Sequence, residues 1–442
     1  MSENQDQIHA GILKNLSIAK LNPMQVEVIE KAGPNHNLML LSPTGSGKTL
    51  AFLIALLNKL NKNEPGIQAL VIAPSRELAL QIETVFRNMK TGFKVSCLYG
   101  GHSVQIEKNN LSETPAVVIG TPGRLADHIG RGSFDLSTVK VIVLDEFDKS
   151  LQMGFHKELE IIFKALNGHQ QHLLTSATAI DELPAFLPFS GHQTIDYLQT
   201  SAPLKLQVKL VKTESTEKPE TLMRLVAGFN QEVCLVFCNH IEAVNRLSAL
   251  LKKHNFEHGV FHGDLEQVDR EKNLIRFRGG ATNVLIATDL AARGLDIPEI
   301  RHIVHYQLPH QHDAFLHRNG RTARMHASGQ AYLIQASDEK LQPYMDPAEM
   351  EEMTVNPQLK LPPAPEYVCL YISAGKKEKI NKGDIAGLLT KKGGLEASEI
   401  GLITTLDHAS YVSVKRNTLT KLMLAIKGEK LKKQKVKIEV AK

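Results

Sequence analysis

A chain of 442 residues, with 42% hydrophobic and 22% charged side chains, is long enough for two or three cores and too ordinary in composition for a disordered or fibrous protein. Its longest apolar runs fall short of a membrane span, and the polar, acidic start Met1-Ser2-Glu3-Asn4-Gln5-Asp6-Gln7 is unlike a signal peptide, so a cytoplasmic protein is expected. The net charge of +5 is uneven: residues 365–442 hold 16 basic and 8 acidic side chains, leaving 36 basic and 39 acidic for the rest. That net +8 marks either a basic module with nucleic acid as first candidate partner or a merely solvated Lys-rich tail.

The first strong pattern is Asn37-Leu38-Met39-Leu40-Leu41, an apolar strand, running into Ser42-Pro43-Thr44-Gly45-Ser46-Gly47-Lys48-Thr49 and then the helical Leu50 to Leu57. A strand–loop–helix unit aims backbone N–H groups and a helix N-terminus at one point, where phosphates are favoured. Gly45 and Gly47 let the loop wrap closely, Lys48 would reach the β- and γ-phosphates, and the Thr49 hydroxyl would ligate Mg²⁺. Ser42 stands where the strict motif has its first Gly. ATP is the expected cofactor.

Further strands are read at 70–73, 95–98, 117–119, 141–144 and 173–175, each nearly continuous in apolar residues, as parallel strands buried on both faces are. Val141-Ile142-Val143-Leu144 ends in Asp145-Glu146-Phe147-Asp148. Carboxylates at the end of a buried parallel strand sit where α/β sheets take ligands. Asp145 suits Mg²⁺ through its water shell, and Glu146 suits the orientation and deprotonation of an attacking water.

After Thr200-Ser201-Ala202-Pro203 the alternation restarts, with strands at 233–237, 259–261, 284–286, 302–304 and 331–334. Two α/β domains in tandem follow, because one sheet of that many strands is unusual. Cys234 and Cys238 flank a strand and read as buried thiols rather than a zinc pair, while Cys97 and Cys369 are scattered. The expected domains are 1–200, 207–345 and 365–442, with a Pro-rich spacer at 346–364. The last domain reads βαββαβ, a ferredoxin-like order of the RRM type. Its third strand, Ser410-Tyr411-Val412-Ser413-Val414-Lys415, lacks the aromatic RRM signature, which argues against base stacking across that sheet.

With Asp145-Glu146-Phe147-Asp148 in place, the chain over roughly 16–340 resembles the DEAD-box family of RNA helicases, Phe147 replacing the family's Ala. Pro74-Ser75-Arg76-Glu77-Leu78-Ala79 is similar to motif Ia, and Gly100-Gly101 and Thr121-Pro122-Gly123-Arg124 to loops that hold the RNA backbone. Ser176-Ala177-Thr178 resembles the motif coupling hydrolysis to unwinding. In the second domain Gln267-Val268-Asp269-Arg270, the run Ala287 to Asp296, and His317-Arg318-Asn319-Gly320-Arg321-Thr322-Ala323-Arg324 match family motifs, with Asn319 and Ala323 as departures.

The resemblance implies two RecA-like domains and a set of roles. Gln25 would pair with the adenine edge, with Ile18 where an aromatic usually stacks on the base. Gly294 and Asp296 would meet the nucleotide, and Arg321 and Arg324 would act as arginine fingers beside Lys48, Asp145 and Glu146. Ser176, Thr178 and His317 would couple the two activities. Pro74, Arg76, Gly101, Thr121, Pro122, Gly123, Arg124, Gln267, Arg270 and Thr288 would grip RNA. The last domain resembles the RNA-binding module of DbpA-type helicases through Gly383-Asp384-Ile385-Ala386, Ile400-Gly401 and Ser410-Tyr411-Val412. That likeness implies recognition of a large-subunit ribosomal RNA hairpin, pre-ribosomal particles as the setting, and a monomer. Lys376, Lys377, Arg416 and Lys433 are its candidate phosphate contacts, chosen by charge. The expected activity is ATP-dependent local unwinding of short RNA duplexes. An ATP-gated RNA clamp without productive unwinding and a DNA helicase are the competing expectations.

Overall fold

The computed structural model describes residues 3–33, 36–43, 45–101, 104–166, 170–180, 182–198, 206–289, 300–322, 329–356, 358, 363–432 and 434–441. Among these, the residues up to 198 form one compact unit and those from 206 onward another.

The first unit holds strands β1 (Leu38–Leu41), β2 (Ala69–Ile72), β3 (Val95–Leu98), β4 (Val117–Gly120), β5 (Val141–Leu144), β6 (Gln171–Ser176) and β7 (Gln193–Asp196), all parallel, in the order β3-β4-β2-β5-β6-β1-β7. Leu38, Leu40, Val71, Val117 and Val143 face one apolar layer, while Met39, Leu41, Leu70, Val118 and Ile142 face the other. Period-two alternation with apolar residues at both phases leaves no polar face, which is why these strands read as unbroken hydrophobic runs. The helices α1 (Glu3–Asn15), α2 (Pro23–Lys31), α3 (Lys48–Leu57), α4 (Arg76–Asn88), α5 (Val104–Leu111), α6 (Pro122–Gly130), α7 (Phe147–Gln152) and α8 (His156–Lys164) supply the covering layers. In α4, Leu78, Ala79, Ile82 and Phe86 form the buried stripe, and the Ser75 side chain caps the start by accepting from the Leu78 N–H.

The second unit opens with β8 (Leu206–Thr213), followed by α9 (Lys218–Ala227), β9 (Cys234–Cys238), α10 (Ile241–Lys253), β10 (Gly259–Phe261), α11 (Gln267–Arg278), β11 (Val284–Thr288), β12 (His302–His305), α12 (His312–Asn319), β13 (Gly329–Ala336) and β14 (Glu351–Glu352). Its parallel sheet runs β10-β11-β9-β12-β13-β8-β14. Residues 351–352, which the sequence assigns to the spacer, instead pair with Lys209 and Leu210 of β8. Met353 and Val355 then pack on the core, so the second lobe extends past 345.

The same unit carries β15 (Tyr367–Ile372), α13 (Lys382–Lys391), β16 (Ile400–Thr405), β17 (Ser410–Lys415), α14 (Leu419–Ala425), a small hairpin of β18 (Lys430–Leu431) and β19 (Gln434–Lys435), and β20 (Ile438–Val440). The antiparallel order β16-β17-β15-β20 is the expected βαββαβ fold with the hairpin inserted before the last strand. One face of this sheet packs Val368, Leu370, Ile372, Val412 and Val414 against Ile385, Leu389 and Leu422 of the helices. Its other face is covered too. Cys369, Tyr411 and Ala441 form a cluster with Ile275 and Ala281 of the parallel-sheet lobe, with Tyr371 beside them. Arg416 Nη2 reaches Glu257 Oε1 at 3.2 Å across the same junction. Tyr411 is 3% exposed, so the sheet face that RRM-type modules offer to bases is occupied by protein.

Candidate ATP site and RNA-facing loops

The strand order of the first lobe sorts the predicted residues. The segments after β5, β6 and β1, which are neighbours, carry Asp145 to Asp148, Ser176 to Thr178 and Ser42 to Thr49. Those after β3, β4 and β2, also neighbours, carry Gly100-Gly101, Thr121 to Arg124 and Pro74 to Arg76. One half of the sheet's carboxyl edge therefore gathers the residues expected to meet the nucleotide (the nucleotide half) and the other those expected to meet RNA (the RNA half), in keeping with ligands binding outside the ends of parallel strands.

In the nucleotide half, Gly47 caps α3 with φ +91°, a left-handed conformation, and an added Cβ there would lie 2.5 Å from Gln25 Nε2. Both facts require glycine. Lys48 Nζ donates to the carbonyls of Ser42 and Pro43 at 2.5 and 2.9 Å, holding its charge inside the loop it serves. Gln25 is buried; its Oε1 accepts the Asn22 N–H at 2.9 Å and its Nε2 donates to the Gly47 carbonyl at 3.1 Å. An amide keeps one further N–H and one lone pair after those bonds, enough for a base edge. Ile18 is half-buried against the core of this lobe.

Asp145 is 3% exposed, and its Oδ1 accepts the Thr175 hydroxyl at 2.5 Å and the Glu146 N–H at 3.1 Å. Burial, and next the adjacent Glu146 charge, push its carboxyl up to about 6 against the lowering pull of Thr175 and Lys48. Glu146 itself sits at φ +47°, ψ +52°, uncommon for a residue with a Cβ and typical of strain held at a working site. The adjacent Asp145 and Glu146 carboxylates, and the Thr49 hydroxyl in the first turn of α3, are oxygen donors of the kind a hard divalent cation takes, and its charge would offset the repulsion between the carboxylates. Phe147, the departure from the family pattern, is fully buried in the second apolar layer. Asp148 Oδ2 accepts the Thr178 hydroxyl at 3.0 Å, and the Ser176 carbonyl accepts the Ser42 N–H at 3.0 Å, so the Ser176-Ala177-Thr178 segment touches both the acidic turn and the phosphate loop.

In the RNA half, Arg76 opens α4 and Pro122 opens α6, so two helix N-termini stand at neighbouring strand ends. Gly101 and Gly123 are exposed, and nothing lies within 4 Å of a Cβ placed on Gly123. Pro74 and Thr121 are buried, serving the turns rather than the surface. Arg124 Nε lies 2.7 Å from Glu107 Oε2, so this predicted RNA residue is engaged within the lobe.

In the second unit, Gln267 opens α11 and bonds Glu271, while Arg270 donates to the His262 carbonyl at 3.1 Å. Thr288 ends β11, His317 Nδ1 donates to the Asp313 carbonyl at 2.6 Å, and Arg321 follows α12 at 5% exposure. The residue that sequence reasoning missed is Arg318. It is 1% exposed and binds Asp289 through two bonds, Nε to Oδ1 at 2.6 Å and Nη2 to Oδ2 at 2.7 Å. It also donates to the Gln307 carbonyl and the Asn239 side chain, over the Phe237 ring. The ends of β9, β11 and β12 are thereby tied to the helix that presents Arg321. Asn319, a departure from the family pattern, bonds buried His305 Nε2 at 3.0 Å. Lys376 and Lys377 sit in the loop after β15, and Arg416 Nε donates to the Pro365 carbonyl at 2.6 Å besides its ion pair with Glu257, which makes Arg416 an anchor of the module. Thr44, Gly294, Asp296, Arg324 and Lys433 lie outside the described residues.

A phosphate loop, an Asp-Glu turn and a linked Ser-Ala-Thr segment on one lobe, with an arginine-bearing helix on the next, define an ATP-driven motor of the helicase class. Residues 22–186 match the DEAD/DEAH box helicase family, 217–326 the helicase conserved C-terminal domain, and 369–440 the DbpA RNA binding domain. The chain is 32% identical to the ATP-dependent RNA helicase DbpA of Escherichia coli (strain K12), over 97% of this chain and 96% of that protein. It is 30% identical to the ATP-dependent RNA helicase DbpA of Bacillus subtilis (strain 168), with the same coverage of both chains. The solved structure of S. cerevisiae Dbp5 bound to RNA and ADP BeF3 superimposes with a TM-score of 0.70 at 26% identity, covering 79% of this chain and 95% of that one. The chain belongs to the DbpA-type DEAD-box ATP-dependent RNA helicases.

Proposed function

We propose that this helicase separates short RNA duplexes locally on structured large-subunit ribosomal RNA during ribosome assembly, in the cytoplasm and as a monomer. The observation that carries the reading is the match of residues 369–440 to the DbpA RNA binding domain, on a segment 365–442 whose net charge is +8 while the motor's is −3. A motor that holds backbone reads no sequence, so the choice of RNA falls to the basic module.

The chemistry is divided. Lys48 and the loop N–H groups hold the triphosphate, Gln25 holds the base, and Glu146 orients the attacking water and takes its proton. Mg²⁺, held through Thr49 and Asp145, would neutralise charge on the phosphates. Arg321 and Arg324, carried by the other lobe, stabilise the γ-phosphate charge only when RNA and ATP bring the lobes together. RNA and ADP BeF3 are the ligands of the structurally similar S. cerevisiae protein, and they support the same pair here. Arg76, Gly101, Gly123, Gln267, Arg270 and Thr288 line the backbone path, with Pro74, Thr121 and Pro122 shaping the turns behind it, and Lys376, Lys377 and Lys433 attract phosphates to the module. Hydrolysis then reopens the grip, through Ser176, Thr178 and His317.

The test sets ATP hydrolysis beside strand separation, with a ribosomal RNA fragment, a random RNA and DNA of matched length. Stimulation strongest with the ribosomal fragment, together with duplex separation, is the expected result. Hydrolysis without separation would make the chain a clamp, and equal stimulation by DNA would remove RNA selectivity.

A further inference from the structure

Three segments of the first lobe converge on one buried carboxylate. Glu107, on α5, has a side chain 5% exposed. Its Oε1 accepts the Tyr99 N–H at 3.2 Å. Its Oε2 lies 2.7 Å from Arg124 Nε and 2.7 Å from His128 Nε2, both on α6. Tyr99 immediately precedes Gly100-Gly101, and Arg124 belongs to the first turn of α6, just behind Thr121. Glu107 thus fastens two of the three backbone loops of the RNA half to one another.

We propose that Glu107 is a positioning residue for RNA, and that Arg124 acts through it as a strut and not as a phosphate ligand. The proposal rests on the RNA-gripping role given to these loops above. A carboxylate this deeply buried is tolerable only with its donors in place, and removing one partner of such a pair is strongly unfavourable. Arg124, its side chain 12% exposed, is drawn into the lobe by Glu107 at its Nε and by Asp127, 3.9 Å from its Nη1. In the first turn of α6 Pro122 has no N–H and the Arg124 N–H bonds the Thr121 carbonyl at 3.1 Å, so the exposed Gly123 and Gly101 are the backbone positions that would meet an anion at no cost in broken ion pairs. The alignment of those groups is what Glu107 fixes, since it holds the Tyr99 N–H on one side and α6 on the other.

The experiment uses the full chain and a single-stranded oligouridine, read by fluorescence anisotropy and by RNA-stimulated ATP hydrolysis. Glu107→Gln and Arg124→Gln are each expected to raise the RNA half-saturation point about tenfold through misplaced loops, with a smaller loss in rate at saturating RNA. The double variant is expected to be no weaker than either single one, because both remove one coupled unit. Arg124→Gln is expected to leave the slope of log affinity against log salt unchanged. A slope shallower by about 0.7 would make Arg124 a phosphate ligand and overturn the proposal. So would a half-saturation within twofold of the parent for Glu107→Gln, or losses that multiply in the double variant. If Glu107→Gln does not fold, the salt slope of Arg124→Gln still decides. A parent chain whose hydrolysis ignores RNA would defeat the helicase reading instead, and direct oligouridine binding would still test Glu107.

Discussion

Gln25 Nε2 donates to the Gly47 carbonyl across 3.1 Å, so the residue expected to read the base is fastened to the loop expected to hold the phosphates. Asn22 repeats the link, its Nδ2 donating to the Ser46 carbonyl at 2.9 Å, while its Oδ1 caps α2 through the Gln25 N–H. The start of α2 and the phosphate loop are one hydrogen-bonded piece, and a change at Gln25 is felt at Lys48.

Gln25→Ala removes the return bond of the capping box and this brace, while Asn22 still caps α2 through the backbone N–H of residue 25. Loss of the return bond alone costs about 1 kcal/mol of stability, which a thermal scan would register as a shift of a few degrees. ATP affinity should fall further than that bond accounts for, because the loop loses its support together with a base contact. An affinity equal to the parent's, measured by titration of a fluorescent ATP analogue, would show that the loop holds its shape unaided.

Glu146→Gln keeps the shape of the side chain and its place in the turn but cannot accept a proton from water. Turnover should fall at least a hundredfold, within the range general bases contribute, while ATP and RNA still bind. A variant retaining a third of the parent's turnover would remove Glu146 from the role of base.

Two arginines three residues apart should respond in opposite ways. Arg318→Ala leaves Asp289 without its bidentate partner in the lobe and should destabilise the second lobe by about 3–5 kcal/mol. Arg321→Ala should show its chief effect in RNA-stimulated hydrolysis, abolishing most of it. Thermal unfolding and ATPase assays on both variants separate the two roles. Equal stability losses would mean that Arg321 is structural as well.

The contrast shows what the sequence could and could not reveal. The phosphate loop and the Asp-Glu turn were legible because their chemistry depends on neighbours in the chain, at fixed spacing after an apolar strand. Arg318 was not, because its partners Asp289, Asn239 and Gln307 come from three different strand ends, and nothing in His317-Arg318-Asn319-Gly320-Arg321 marks which arginine binds them. The departure at Asn319 could be seen but not explained until His305 was placed against it. β8 went unread because its alternation, Leu206-Gln207-Val208-Lys209, is that of a half-exposed strand beside a short outer one, unlike the continuous runs of the inner strands. The covered sheet face of the last domain was foreshadowed by Cys369, Tyr371 and Tyr411, apolar residues at the phase opposite the helix-covered face, but their partner lies about a hundred residues earlier.

His305 makes stability depend on pH in one direction. Burial, and after it the Arg318 charge, push its imidazole down to about 3, against 6.5 when exposed. Above pH 6.5 it is neutral folded or unfolded and pH has no hold on it. Below that, the unfolded chain takes a proton that the folded lobe refuses, so stability is lost on acidification by up to about 1.4 kcal/mol per pH unit until pH 3. Burial lowers His258 and His302 in the same lobe, adding to the same trend. Replacing both partners, His305→Leu with Asn319→Leu, removes the polar pair without orphaning either group. The acid slope of the unfolding free energy should flatten by about one proton in this double variant. A slope identical to the parent's would mean that His305 is protonated in the fold.

Gly279 is the pivot for testing how the basic module is attached. It ends α11 at φ −85°, a conformation open to any residue, yet an added Cβ would lie 2.1 Å from Ser413 Oγ of β17 and 3.1 Å from the Ile275 carbonyl. Glycine is needed there only because the module's sheet lies against the helix end. The helix matters because its first turn carries Gln267 and Arg270, predicted to touch RNA, while its last turn meets the module. A module seated in this way would hold RNA at a set position against the second lobe, which a loose tether would not do. Gly279→Val should therefore unseat the module while leaving each domain folded. Cys369, 1% exposed within that junction, reports the event: its labelling by a thiol reagent, followed by mass spectrometry, should accelerate at least tenfold, while buried Cys234 and Cys238 keep their rates. Duplex separation on an RNA carrying the module's own binding site should weaken in the same variant, with hydrolysis on oligouridine preserved. Unchanged Cys369 labelling would show that the junction absorbs the extra carbons, and unchanged duplex separation after faster labelling would show that the seat does not guide the motor.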